Sequence, residues 1–367
     1  MKHPFNILLS PPDIGALSGA TYDVNDLLRL ERQFSQQLTA LTRTTHCLLT
    51  NAGSSALELA LASLSVQAGD DVFCQSLTFA ASANCIVHQG ATPVFIGSEP
   101  QSWNMCPDAL ETALRKRRKR PKAIIAVDLY GVPAQWHELR MLSSQFGVPL
   151  IEDAAEALGS TYQRIPCGGF GDISILSFNV NKIITTLGGG ALLTNNETFF
   201  KTAGWLGSQA KQPVAHYEHE RAGYNTAFNP LAAPLGMQQL SALTDRVQRR
   251  RTHFMAYQQA LQANSGLSCQ PEPAGSLANR WLTACRFDER ETGVSRETVR
   301  LTLAAQGIES RPVFKPMHCQ PVYKKSPFYG TGLAENIFEQ GLCLPSGSTL
   351  NEVERQRVID IVLSLFR

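Results

Sequence analysis

From about residue 50 to residue 200, short β-branched and aliphatic runs alternate with stretches of helical composition, and no other feature constrains the fold as tightly. The runs are Asp71 to Phe73, Thr92 to Ile96, Ala123 to Val127, Val148 to Ile151 and Ile173 to Leu176. Buried strands this short, separated by helices, predict a mostly parallel sheet covered on both faces. Leu57, Leu59, Leu61 and Leu64, mixed with alanines after Gly53-Ser54-Ser55, predict one of those buried helices. Farther along, Leu235, Leu240, Leu243 and Val247 share one face of a helical stretch from Pro230 to about Leu261. The Gly-, Pro-, Ser- and Asn-bearing stretch Asn264 to Ala278 reads as a boundary or exposed loop. After it, Trp281 to Phe287 reads as a strand, and Ser295 to Gln306 and Glu352 to Leu365 as helices. The expected fold class is α/β: a large N-terminal domain over residues 1–245 and a smaller C-terminal α+β domain over 246–367.

Charge and cysteine usage remove several function classes. The chain has 33 Lys and Arg against 31 Asp and Glu, a net charge of +2, so no global field favours nucleic acid or an anionic membrane surface. The basic run Arg115 to Arg120 follows a helical segment from Pro107 to Leu114 and reads as a solvated helix end, where cations complement the dipole. Nine scattered cysteines without a C-x-x-C pair read as reduced intracellular thiols, not a disulfide framework or a zinc site. His216 and His219 have i, i+3 spacing but no evident third ligand, so no metal is expected. The stretch MKHPFNILLSPPD carries too short an apolar run for a signal peptide, and no segment approaches a membrane span. The expected location is therefore the cytoplasm.

Three places predicted to lie at strand ends or helix starts carry chemistry. In parallel α/β sheets ligands bind outside the carboxyl ends of the strands. Here one strand ends in Glu152-Asp153, another ends in Ser177 with Lys182 shortly after, and Asn51, Gly53, Ser54 and Ser55 stand where a helix begins. Together they describe a pyridoxal phosphate site. Small hydroxyl residues at a helix N-terminus suit a phosphate, Asp153 suits a protonated pyridine nitrogen, and Lys182 suits a Schiff base. Gly188-Gly189-Gly190 lacks the spacing of a dinucleotide fingerprint and reads as a tight turn behind the lysine loop.

These residues sit in a longer resemblance. Gly53-Ser54-Ser55-Ala56-Leu57, Thr78-Phe79, IEDAAEALGS (151–160), SFNVNKIITTLGGG (177–190), GYN (223–225), NRWLTA (279–284), SRPVFKPMH (310–318) and LCLPSGS (342–348) resemble the DegT-type nucleotide-sugar aminotransferases. Those are fold-type I pyridoxal phosphate enzymes, and the later blocks are most similar to transaminases making UDP-4-amino-4,6-dideoxy-N-acetylglucosamine in the bacillosamine pathway. The resemblance implies that Lys182 binds the cofactor, that Asp153 pairs with its ring nitrogen and that Phe79 stacks on the ring. It places Glu156 near the phenolic oxygen and Ser54, Ser55 and Ser177 on the phosphate. Asn225 would reach that phosphate from a neighbouring subunit, implying a homodimer, and His318 and Arg311 would serve the substrate. The implied reaction is amino transfer from glutamate to a 4-keto-6-deoxy nucleotide sugar, with transfer to carbon 3 or a non-catalytic binding role as alternatives. Lys182 speaks against the related sugar 3-dehydratases, which carry histidine there. Two departures bear on substrate recognition: Thr226-Ala227-Phe228 replaces a Tyr-Arg-Met or Tyr-Arg-Leu run, and the segment from Ser10 to Phe34 is several residues shorter than in relatives.

Overall fold

The structure, a computed structural model, describes residues 6–9 and 23–366. Strands β1 (His46–Thr50), β2 (Asp71–Gln75), β3 (Thr92–Ile96), β4 (Ala123–Val127) and β5 (Leu150–Asp153) come first, then a short pair, β6 (Thr161–Tyr162) and β7 (Ile165–Pro166). They are followed by β8 (Ile173–Ser177), β9 (Gly190–Thr194), β10 (Leu267–Cys269), β11 (Ser276–Leu277), β12 (Thr283–Phe287), β13 (Arg311–Pro312), β14 (Phe328–Tyr329) and β15 (Gly341–Leu344). The helices are α1 (Val24–Thr42), α2 (Gly53–Ser63), α3 (Ala81–His88), α4 (Pro107–Lys116), α5 (Trp136–Phe146) and α6 (Glu197–Gly207). After these come α7 (Ala233–Ser241), α8 (Leu243–Leu261), α9 (Glu289–Thr292), α10 (Arg296–Ala305), α11 (Leu333–Gln340) and α12 (Glu352–Ser364).

Eight strands form the main sheet in the order β1-β9-β8-β5-β4-β2-β3-β14. From β14 to β8 every pairing is parallel. Only β9 and β1 run antiparallel to their neighbours. Strand β4 (AIIAV) shows why the apolar runs are continuous: Ile124 and Ala126 enter the cluster holding Trp136 and Leu139 of α5. Ala123 and Ile125 enter the opposite cluster, with Leu59 and Leu61 of α2. Helices on both faces leave no position on such a strand for a polar residue. A second, antiparallel sheet, β10-β12-β15-β13, is backed by Tyr257 of α8, Leu303 of α10 and Val358 of α12.

Several expectations change in detail. The helical stretch from Pro230 is a 3-10 turn followed by two helices, which divide at Ala242. Helix α8 runs through residues 245 and 246, and β14 from the C-terminal part adds to the edge of the large sheet beside β3. The supposed loop Asn264 to Ala278 contains β10 and β11. The basic run is only partly a solvated helix end. Helix α4 stops at Lys116, the Arg117 guanidinium pairs with Asp71, and Lys119 Nζ donates to Asp70 Oδ1 at 3.0 Å. His216 and His219 hold separate partners, Glu218 and the Gln209 carbonyl. Of the shortened N-terminal stretch, Ser10 to Tyr22 lies outside the described residues, and Asp23 caps α1 by accepting from Asp26 N. Among the described residues, no helix is long and apolar enough to cross a membrane.

Candidate active site

A cavity of about 900 Å³ opens at the carboxyl ends of β4, β5 and β8, against the start of α2. Gly53, Ser54, Asp153, Glu156, Ser177 and Lys182, chosen from distant parts of the sequence, all line it, and Phe79 and Arg311 stand in its wall. Ligands in open α/β sheets bind in this position because the strand ends and the helix N-termini converge there.

Asp153 ends β5 and is buried. Ser82 Oγ donates to its Oδ2 at 2.7 Å, and Ala155 N donates to its Oδ1 at 3.2 Å. Burial pushes its pKa up, while those two donors and the Lys182 charge oppose the rise. Glu156, also buried, accepts from Tyr130 N at 2.7 Å, and Lys182 Nζ stands 3.5 Å from its other oxygen. Desolvation pushes the Glu156 carboxyl up as well, with the Lys182 ammonium as the main opposing influence. The lysine amine also lies over the Trp281 ring, 4.1 Å from its centroid. The indole is itself fixed by a 2.7 Å bond from Nε1 to the Asn181 carbonyl. A cation held between a carboxylate and an aromatic face is well placed to be handed to a ligand.

At the other end of the cavity, α2 begins without a capping side chain; its N-cap is Ala52. Its first-turn N–H groups and the Ser54 hydroxyl are therefore available to an anion. Gly53 suits that crowded place, since a Cβ would stand 3.0 Å from the Ser177 Cβ, closer than ordinary contact. The glycine run after the lysine loop answers the same crowding: a Cβ on Gly190 would come within 2.5 Å of Gly53 N.

Three predicted residues stand elsewhere. Ser55 donates to Asn51 Oδ1 at 2.6 Å and does not line the cavity. Asn225 is exposed, in a bridge with Ser208, and also stands outside the cavity wall. His318 likewise is not among the residues that line the cavity of its own chain. Its Nδ1 shares a 2.6 Å bond with Ser76 Oγ, its Nε2 meets Glu335 Oε1 at 2.9 Å, and its ring stacks on Phe328 away from the cavity lining. Arg311 reaches the cavity but is tied to Glu309 at 2.9 Å through Nε. In the replaced run Thr226-Ala227-Phe228, Thr226 O accepts from Asn51 N at 2.9 Å, and Phe228 packs on Phe34. Sequence reasoning passed over Ser82, Tyr130, Asn279 and Trp281. Asn279 Nδ2 donates to the carbonyls of Glu156 and Leu158, both at 2.9 Å, locking the loop that carries Glu156. The NRWLTA block was the available signal for Asn279 and Trp281.

Residues 27–363 match the model of the DegT/DnrJ/EryC1/StrS aminotransferase family. The chain belongs to that family. Among its relatives is EpsN of Bacillus subtilis (strain 168), which carries the name of a pyridoxal phosphate-dependent aminotransferase and is 44% identical over 92% of this chain and 88% of its own length. GDP-perosamine synthase of Escherichia coli O157:H7 is 33% identical over 89% of this chain and 86% of its own. A family aminotransferase from Brucella abortus superposes with a TM-score of 0.85 at 28% identity, covering 92% of this chain and 90% of that one. DesI, solved in the presence of its TDP-sugar product, superposes with the same TM-score of 0.85 at 26% identity over 92% of this chain and 85% of that one. The protein is a pyridoxal phosphate-dependent aminotransferase. Its cavity fits the cofactor on this family member's own residues: an uncapped helix start for the phosphate, a buried carboxyl destabilised by desolvation for a cationic ring nitrogen, and a lysine amine in the same space.

Proposed function

We propose that the protein moves an amino group from glutamate to carbon 4 of a 4-keto-6-deoxy nucleotide sugar, a UDP-linked N-acetylated hexosamine, in surface glycan synthesis. Relatives named GDP-perosamine synthase and spore coat polysaccharide biosynthesis protein support a sugar nucleotide and a polysaccharide setting. The observation that carries the reading is the Lys182 amine set between Glu156 and Trp281, in one cavity with the Asp153 carboxyl.

In this reading the N-terminus of α2, with Ser54 and Ser177, holds the cofactor phosphate. Asp153 stabilises the positive charge on the ring nitrogen, Phe79 covers one ring face, and Glu156 stands near the phenolic oxygen. When bound, pyridoxal phosphate supplies an electron sink that stabilises negative charge at the carbon losing its proton. Lys182 Nζ anchors the cofactor in the resting enzyme and, once displaced by glutamate, moves the proton between carbon atoms. Glu156 and the Trp281 ring hold the displaced amine close by. Arg311 is paired with Glu309 through Nε and Nη2, yet its side chain stays 71% exposed at the cavity wall, where a substrate anion can approach it. Two copies complete each other's sites in the proposed homodimer, Asn225 being the residue given across the interface.

Lys182→Ala tests the reading. The visible absorption of the lysine-bound cofactor disappears, and amino transfer falls by at least about 10²–10⁴-fold, the contribution of a lost proton-transfer group. Undiminished transfer by this variant would remove the lysine from the mechanism. Supplying glutamate with 4-keto and with 3-keto nucleotide sugars, and locating the new amine by mass and NMR, decides the carbon. Product from the 3-keto isomer alone overturns the assignment to carbon 4.

A further inference from the structure

Cys269 on β10 and Cys285 on β12 are direct partners across an antiparallel ladder, with their sulfurs 2.8 Å apart. The next pair along, Gln270 and Ala284, is hydrogen-bonded, Gln270 N donating to Ala284 O at 2.8 Å. Cys269 and Cys285 therefore occupy a non-hydrogen-bonded pair, where the Cα atoms approach to about 4.5 Å, inside the roughly 4.4–6.8 Å that a disulfide spans. The backbone need not move for the two sulfurs to join. We propose that this pair is an oxidative modification site, a reversible disulfide tethering the segment that carries Trp281 to the active-site cavity.

The two cysteines are 16 positions apart, and the chain between them holds Asn279, Trp281 and Leu282. Trp281 and Leu282 line the cavity, and Asn279 locks the Glu156 loop. Closing the base of this segment restrains all three. The two thiols are unequal: Cys269 is half-buried and reachable, whereas Cys285 is fully buried behind it. Cys343, on the neighbouring strand, is no competitor, because it faces the cavity while Cys285 packs in the small-sheet core. With a disulfide such as oxidised glutathione as oxidant, the Cys269 thiolate attacks one of its sulfurs and releases one glutathione thiolate. Cys285, giving up its proton, then attacks the Cys269 sulfur and releases the second glutathione. Two protein thiols are oxidised to one disulfide and the reagent is reduced to two thiols, so electrons and protons balance.

The experiment treats the full-length holoenzyme with oxidised glutathione, caps residual thiols with N-ethylmaleimide and maps the peptides. The expected product is a Cys269–Cys285 cross-link that dithiothreitol reverses, with hydrogen exchange across residues 270–284 slowed several-fold. Cys269→Ser, which leaves the cavity lining intact, keeps the cofactor absorption band and loses the exchange response to oxidant. Two separately capped cysteines after oxidation would overturn the site. A cross-link that leaves exchange of the segment unchanged would overturn the tether.

Discussion

At the residue scale, the side chains that carry charge were legible and the ones that place them were not. Lys182 and Asp153 stand next to predicted strand ends and are chemically conspicuous, so their meeting in one cavity follows from the parallel sheet. Trp281 is distant in sequence from the lysine, and nothing in its own neighbourhood announces that its ring will lie 4.1 Å from the Lys182 amine. His318 is a second case in which the surroundings were not legible. A histidine at a matching motif position suggests a ligand contact, but Ser76 and Glu335 occupy both ring nitrogens. The Trp281 contact makes a prediction. An aromatic face under a partly desolvated ammonium is worth about 0.5–2 kcal/mol, so losing it costs about 2–30-fold in the step that needs the amine placed. Trp281→Leu is expected to slow re-attachment of the lysine to added cofactor by that factor, read by stopped-flow absorbance. Trp281→Phe restores most of the rate. Equal rates in the two variants would show that bulk, not the aromatic face, positions the amine.

Among the elements, the short buried strands were found because both their faces meet apolar helices. Thr92–Ile96 and Ala123–Val127 end where the sequence placed them. The divided α7–α8 stretch was read as one helix because the apolar face continues across Ala242. Strand β10 was missed because three residues are too few to show a period amid Gly, Pro and Ser. Strand β5 shows the alternation at work. Asp153 turns toward Ser82 and the cavity, whereas Glu152 turns to the opposite face and accepts from Gly168 N at 2.6 Å and from Phe170 N and Ser174 Oγ, both at 2.7 Å. Beside it, after β4, buried Asp128 accepts from Ala134 N and Trp136 Nε1, both at 2.9 Å. Burial and the neighbouring Glu152 charge hold the Asp128 carboxyl well above its usual range. A carboxyl raised in the folded state contributes stability that is complete below the unfolded pKa and lost as pH rises toward the folded one. Asp128→Asn keeps the shape and cannot ionise. Its melting temperature relative to the wild type is therefore expected to increase from about pH 5 to about pH 8. A difference that is flat or shrinks over that range would mean that Asp128 is already ionised in the native protein.

For the whole molecule, the alternating runs foretold a parallel sheet with a smaller unit after it, but not how the two interlock. The addition of β14 beside β3 pairs Phe328 with Phe95, residues whose adjacency no local pattern encodes. What lies beyond one chain is hidden for a similar reason: Asn225 is exposed and is not among the residues that line its own chain's cavity. Its proposed place in a partner's site has a consequence that a structural role lacks. Lys182→Ala and Asn225→Ala protein, each impaired alone at limiting cofactor, are unfolded together, refolded and assayed as a mixture. In a hybrid dimer, one site inherits both defects and the other takes its lysine from one chain and its asparagine from the other, both intact. Random pairing makes half the dimers hybrid, each with one working site in two, so the mixture should recover about one quarter of wild-type activity. If Asn225 serves only its own chain, every site in every dimer keeps one defect, and mixing restores nothing.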